Sequence, residues 1–303
     1  MLGKRLEQFL FPVRSDRWIA ILRFGLGLQV IVYALSLRRD WNYLFAADNQ
    51  GIISRELTEA ILSVKSAFIP RLGWLVTLGG KLGLDEDAML ALGWAALLGT
   101  GLFLLAGFLC RPSAIAAWLL HLAARGSGGF VTYGVDSFMT IGLFYLALAP
   151  LPDRYSLDAL LFKWRLKADY RIGFHQRVLQ LHLCFIYFFG GLAKLLGAGW
   201  WDGTSMWRAL TRPPFNIIPA HALLSAKYLL PFLGIFICLL EFGYPLFIWL
   251  RSTSRAWLLL VLLMHIGIAV AMHLQLFALI MVILNLAAFG SIFSGYSLAR
   301  QRT

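Results

Sequence analysis

Eight stretches of this chain run for about the thickness of a bilayer's hydrocarbon core with very little charge. A helix rises about 1.5 Å per residue, so it needs about 20 apolar residues to cross a core roughly 30 Å thick. The stretches are 18–37, 88–109, 112–128, 129–150, 178–198, 228–250, 256–272 and 274–293. A soluble domain cannot hide that much apolar surface. Of the 303 residues, 60% are hydrophobic and only 14% charged, and mean hydropathy is +0.74; soluble domains carry about 25% charged residues. The expected fold is therefore all-α and integral to the membrane. We expect an eight-transmembrane-helix bundle forming a single domain over 1–303, with no extramembrane C-terminal domain.

Two segments differ from ordinary spans. Residues 52–83 interleave charge with Ile, Leu, Phe and Trp, which predicts interfacial amphipathic helices in the first outer loop. Residues 199–227 hold three tryptophans and three prolines and predict an ordered cap against the membrane. The RGSGG stretch Arg125–Gly129 predicts a tight loop between the third and fourth spans. The last two spans nearly meet at His273, as in a tight hairpin. The first span carries Arg23 and ends without a small-x-small cleavage site, so it is expected to be retained.

Lys and Arg placement orients the bundle. With the N-terminus inside, the inner segments hold 15 basic and five acidic residues, and the outer ones 10 basic and eight acidic. Loop 151–177, with six basic residues, is the strongest inside marker. Both termini are thus expected in the cytoplasm. The net charge of +12 punctuates apolar runs and forms no basic face. It fits anionic membrane lipid rather than nucleic acid. Cys110, Cys184 and Cys238 lie apart in apolar runs and read as buried hydrophobes rather than disulfides or metal ligands. No P-loop, GxSxG, HExxH or CxxC pattern is present.

An ionisable group at membrane depth is costly unless paired, so each one is a site candidate. The spans contain Arg23, His121, Asp136, His182, Lys194, Glu241 and His265. Asp136 is expected about 10 Å below the outer surface and Lys194 about 6 Å below it. Opposite sign and similar depth predict that these two share one outward-facing cavity, either as a structural ion pair or as a site. Arg23 and Glu241 could pair at the inner to middle level. Gln180, Tyr187 and Lys194 recur every seven residues, with Gly191 beside them, as on a face turned into the bundle. A lysine in a dry pocket can act as a base near neutral pH. His121 and His265 are the one pair of histidines that could face a haem, but neither haem nor metal is expected.

The run Tyr187-Phe188-Phe189-Gly190-Gly191-Leu192-Ala193-Lys194-Leu195, followed by Trp201-Asp202-Gly203-Thr204-Ser205-Met206, resembles the core motif of vitamin K-dependent γ-carboxylase. Its broader bacterial relatives form the horizontally transferred transmembrane domain (HTTM) family. Tyr133-Gly134-Val135-Asp136, Tyr155-Ser156-Leu157-Asp158, Glu241 and Gln275-Leu276-Phe277 agree in order, so the resemblance covers nearly the whole chain. It implies a bacterial inner-membrane enzyme that uses reduced vitamin K or menaquinol with O₂ and CO₂ to carboxylate glutamate in a peptide or protein. It implies that Lys194 is the base that deprotonates the quinol, with Asp136 and His265 as further catalytic candidates. Tyr187, Gly191, His121, Trp201 and Asp202 are then the candidates for binding the quinone. The alternative is a non-catalytic family member: a membrane partner in peptide maturation or export, or a lipid- or quinone-binding protein.

The topology is open to direct measurement. Cysteines placed at 163 and 204 in a cysteine-free background are expected to label from the cytoplasm and from outside, respectively. Labelling of position 163 from outside would invert the assignment.

Overall fold

A computed structural model describes residues 2–47, 53–128, 132–163 and 167–293. These form sixteen α-helices and, among the described residues, no strand beyond an isolated antiparallel bridge of Arg14 with Asp169. The chain divides into two compact units, Ile19–Lys167 and Met1–Trp18 with Ala168–Thr303.

The first unit takes α2 (Arg17–Ser36) from residue 19, α3 (Trp41–Phe45), α4 (Arg55–Lys65), α5 (Leu72–Lys81), α6 (Glu86–Ala106), α7 (Cys110–Ser127), α8 (Gly134–Leu148) and α9 (Leu157–Leu161); α1 (Leu2–Leu10) belongs to the other unit. The bounds of α6 follow from its ends. Asp85 accepts from the Ala88 N–H at 3.2 Å, Glu86 and Asp87 occupy the positive first turn, and Gly107 closes the helix at φ 73°. Leu90, Leu97 and Leu104, seven residues apart, line its buried face. The backbone of α6 at Leu105 fills the space where Gly27 lacks a Cβ, so α2 and α6 touch backbone to backbone.

The turn between α6 and α7 is held from one loop. Arg23 of α2 donates to the Leu104 carbonyl at 2.6 Å and to Asp153 at 2.6 Å. It thereby covers a C-terminal carbonyl of α6 and pairs with a fully buried carboxylate. Asp158 accepts from the Leu109 and Cys110 N–H groups at 2.9 and 2.7 Å, capping α7. Ser156 caps α9 by accepting from Ala159 at 3.1 Å. The Tyr155–Asp158 turn is therefore a set of helix caps. The partner of Arg23 is Asp153 and not the expected Glu241, which belongs to the other unit.

The second unit adds α10 (Tyr170–Leu195), α11 (Ala198–Trp201), α12 (Thr204–Thr211), α13 (Ala220–Ser225), α14 (Leu229–Phe247), α15 (Ser254–Met272) and α16 (Gln275–Phe289). His273, at φ 52°, turns α15 into α16 as the expected hairpin. In the cap region, Met206, Leu210, Leu223 and Leu230 form a small core against Trp200 and Trp207. Arg177 lies between the rings of Phe9 and Trp249, 4.3 and 4.6 Å from their centroids, and donates to the Phe9 carbonyl. That sandwich fixes α1 to α10.

Among the described residues, six helices are long and apolar enough to cross a membrane: Arg17–Ser36, Glu86–Ala106, Tyr170–Leu195, Leu229–Phe247, Ser254–Met272 and Gln275–Ile292. They mark an integral membrane protein. The other two expected spans fall short for different reasons. α8 has 15 residues, about 22 Å of rise. α7 has 18 residues, but Arg111, His121, Arg125 and its buried small residues dilute its apolarity. Segment 52–83 folds as the helix pair α4 and α5. Part of the RGSGG loop, at Gly129, and the C-terminal residues from 294 lie outside the described residues.

Arg23→Met strands the Asp153 carboxylate in the interior. It is expected to destabilise the protein by about 3–5 kcal/mol, and Arg23→Met with Asp153→Leu is expected to recover most of that loss. Thermal unfolding of both variants in one detergent checks it; a single variant no less stable than the double one contradicts the role given to this pair.

Candidate functional site

The site is built where α10 and α14 cross. At Gly191, an added Cβ would run into the Phe242 backbone, so only glycine lets the two helices approach this closely. At the preceding residue, a Cβ on Gly190 would lie 3.2 Å from Glu241 Oε2 and 3.8 Å from Lys194 Nζ. The Gly190-Gly191 pair thus clears the space in which a lysine and a glutamate on opposite helices meet.

Lys194 Nζ makes a short ion pair with Glu241 Oε2. The side chains keep 25% and 12% of their exposure, so the pair is half-sheltered rather than sealed. The Lys194 ammonium also lies 5.6 Å from the centroid of the Trp200 ring, in cation–π range. The expected pair with Asp136 is replaced: Lys194 is met by Glu241 within its own unit, while Asp136 belongs to the other. Depth and sign along the chain suggested Asp136, but the close crossing at Gly191 offers Lys194 a carboxylate within its own unit.

Two turns down α10 from Lys194, Tyr187 stacks on Tyr244 of α14, ring centroids 4.2 Å apart. The Tyr187 hydroxyl lies 2.8 Å from His265 Nε2 on α15 and 2.7 Å from Asn285 Nδ2 on α16. Tyr244 donates to Asn285 Oδ1 at 2.8 Å. Four spans thus contribute to one buried hydrogen-bonded cluster. The stripe of α10 containing Gln180, Tyr187 and Gly191 is buried, as its spacing predicts. Gln180 serves a different end, donating to the Ala288 carbonyl in the last turn of α16 at 2.6 Å. An open groove of about 650 Å³ runs along α10 and α14, lined by residues including Phe185, Phe188, Phe189, Phe242 and Phe247; Lys194, Glu241, Tyr187 and His265 do not line it.

The remaining candidates are placed elsewhere. Asp136 is buried and both its carboxylate oxygens are engaged: Oδ1 accepts from the Tyr33 hydroxyl at 2.8 Å and Oδ2 from the Tyr133 N–H at 2.9 Å. It closes the N-terminus of α8 and ties it to α2. His121 Nε2 lies 3.0 Å from the Asp136 backbone carbonyl, an obligate acceptor, so that nitrogen carries the proton and ties α7 to α8. Trp201 is half-exposed and donates to the Leu195 carbonyl at 2.8 Å; its neighbour Trp200 is the ring set against Lys194. Asp202 is exposed and accepts from the Thr204 N–H at 2.8 Å, starting α12. The Thr204 hydroxyl and then its N–H hold the Asp202 carboxyl below the usual range. Gly203, at φ 84° and packed on Pro231, completes this turn. The Trp-Asp-Gly motif is therefore a turn that carries Trp200 into position.

Sequence reasoning missed three members: Asn285, Tyr244 and Trp200. Asn285 had a signal, since an amide inside an otherwise apolar span needs a partner. Tyr244 follows Glu241 by three residues, on the same helix face. No family model matches this chain, and neither does any curated protein or solved structure.

Since Asp136 caps α8, Asp136→Asn is expected to lower stability by about 0.5–2 kcal/mol and to leave the Lys194–Glu241 pair intact. Thermal unfolding, with chemical modification of Lys194 as the local probe, checks both halves. A changed Lys194 reactivity would tie Asp136 to the lysine after all.

Proposed function

We propose that this chain is a quinol-linked membrane enzyme of the γ-carboxylase-like type, with Lys194 and Glu241 as its proton-handling pair. The observation that carries the reading is that pair, set beside a buried Tyr187–His265–Asn285–Tyr244 cluster and an aromatic cavity. An open apolar groove of this volume along α10 and α14 suits a small-molecule ring and a prenyl tail. Reduced vitamin K or menaquinol, oxidised by O₂, would supply the strong base that removes a γ-proton from glutamate so that CO₂ can add. The residues of the chain have simpler tasks. Glu241 takes the lysine proton, so the amine is left free to accept one from a hydroxyl. Gly190 and Gly191 keep the two groups within reach of each other.

In this reading α7 and α8 complete eight spans, with α4 and α5 at the interface. Both termini face the cytoplasm of a bacterial inner membrane, and a glutamate-containing peptide or protein is the second substrate. The ion pair itself favours one competing reading, in which Lys194 only pins α10 to α14 in a non-catalytic family member acting as a membrane partner.

Substitution separates the two. Lys194→Arg keeps a cation for Glu241 but cannot give up its proton. It is expected to fold as wild type and to lose turnover by about 10²–10⁴-fold. Lys194→Ala is expected to lose turnover and also about 1–3 kcal/mol of stability, because Glu241 is left unpaired. The assay follows menaquinol oxidation and incorporation of labelled CO₂ into a glutamate-containing peptide, alongside thermal unfolding. Wild-type turnover in Lys194→Arg would favour the structural pin.

A further inference from the structure

One backbone carbonyl fixes the position of every proton in the Tyr187–His265 chain. The Met281 carbonyl can only accept. Asn285 Nδ2 lies 2.8 Å from it, so the amide nitrogen faces Met281 and the amide oxygen faces away. That oxygen accepts from the Tyr244 hydroxyl at 2.8 Å. The second proton of Nδ2 goes to the Tyr187 oxygen, 2.7 Å away. Tyr187 therefore accepts from Asn285, and its own hydroxyl proton points at His265 Nε2, 2.8 Å away. Nε2 accepts, so neutral His265 carries its proton on Nδ1. The opposite arrangement, with Nε2–H donating to Tyr187, strands the tyrosine proton and the Nδ1 lone pair together. It leaves two unmet groups where the first leaves one.

That one is Nδ1–H. His265 is 3% exposed, and Nδ1 has no hydrogen-bond partner among the described residues. A buried donor without an acceptor is costly and uncommon. At His121 the Asp136 carbonyl holds the proton on Nε2 instead, so the unpartnered nitrogen there, Nδ1, is an acceptor rather than a donor.

We infer that Asn285 is a positioning residue that fixes His265 as an Nδ1–H donor, and that this donor meets an oxygen atom of the bound ligand, of the quinone carbonyl or quinol oxygen class. The ligand's identity rests on the quinol reading above; the tautomer does not. The assignment gives the two sides of the site complementary work. Lys194 receives a proton from one oxygen, and His265 offers a hydrogen bond where negative charge gathers on the ring system. A preorganised donor in a water-poor site is most effective against such developing charge.

Nitrogen-15 spectra of histidine-labelled protein in lipid nanodiscs test this, with the His265 signals assigned by their loss in His265→Phe. Wild type is expected to show a protonated Nδ1 and an accepting Nε2. Asn285→Asp keeps the shape but cannot donate to both Met281 and Tyr187. The Tyr187 hydroxyl then turns to the new carboxyl, and His265 is expected to switch to the Nε2–H form. Tyr187→Phe, a second variant, is expected to abolish the preference for Nδ1–H. An Nε2–H histidine in wild type, or one tautomer shared by wild type and Asn285→Asp, overturns the role of Asn285, because a merely structural asparagine would not move the proton. A short-chain menaquinone is then titrated, its binding followed by quenching of tryptophan fluorescence. Its saturation is expected to shift the Nδ1 resonance in wild type and to leave Asn285→Asp unshifted. Binding without that shift overturns the ligand contact. Failure to bind counts against the quinol reading and the ligand contact together, while the tautomer spectra still decide the role of Asn285.

Discussion

The approach of α10 to α14 at Gly191 is the contact on which the rest of the site depends. Because no Cβ separates the two backbones, Lys194 finds Glu241 and Tyr187 lies flat on Tyr244. The helices are antiparallel here, since passing from the Tyr187–Tyr244 contact to the Lys194–Glu241 contact runs forward along α10 and backward along α14. Any bulk at the crossing would push apart both layers at once, the ion pair and the aromatic stack. Overpacking of this kind typically costs about 1–3 kcal/mol, and here it would also spoil the geometry of the Lys194–Glu241 pair.

A second constraint comes from the surroundings. Hydrocarbon offers no hydrogen bonds, so polar groups on the spans must be met within the protein. The chain meets many of them at helix ends, where backbone groups are unpaired in any case. Arg23 covers the end of α6, Arg111 reaches the Ala147 and Ala149 carbonyls at the end of α8, and Gln176 and Gln180 reach the end of α16. These side chains look like functional candidates in a sequence and turn out to be caps. Lys194, Glu241 and His265 differ from them, since their interactions run mainly from side chain to side chain and one nitrogen of His265 is left over.

That difference explains how far the sequence could be read. Apolar length was enough to find six spans, because hydropathy depends on the residues a helix shows to lipid. α7 and α8 do not meet the same measure of length and hydropathy, since α7 buries a small-residue face and α8 has 15 residues. Lys194, Tyr187 and His265 were legible as polar groups at membrane depth, and the structure gathers them. Their partners were not, because pairing depends on which helices touch. Asp136 and Glu241 look alike along the chain as single acids within apolar spans. Only the crossing at Gly191 decides which of them faces the lysine. Asn285 shows the same limit, for a lone amide gives no hint that its orientation will set the proton on a histidine.

The Arg177 sandwich has a consequence for how the molecule is assembled during synthesis. Phe9 is made among the first residues, yet its stacking partners are Arg177 and Trp249, the latter beyond α14. At about 5–20 residues per second, Phe9 waits roughly 10–50 s for Trp249 to emerge. Until Arg177 and then Trp249 are made, α1, with Lys4 and Arg5 on it, lacks this sandwich. The segment translated first is thus among the last to find its native contacts, and it locks only once most of the unit it belongs to has been inserted.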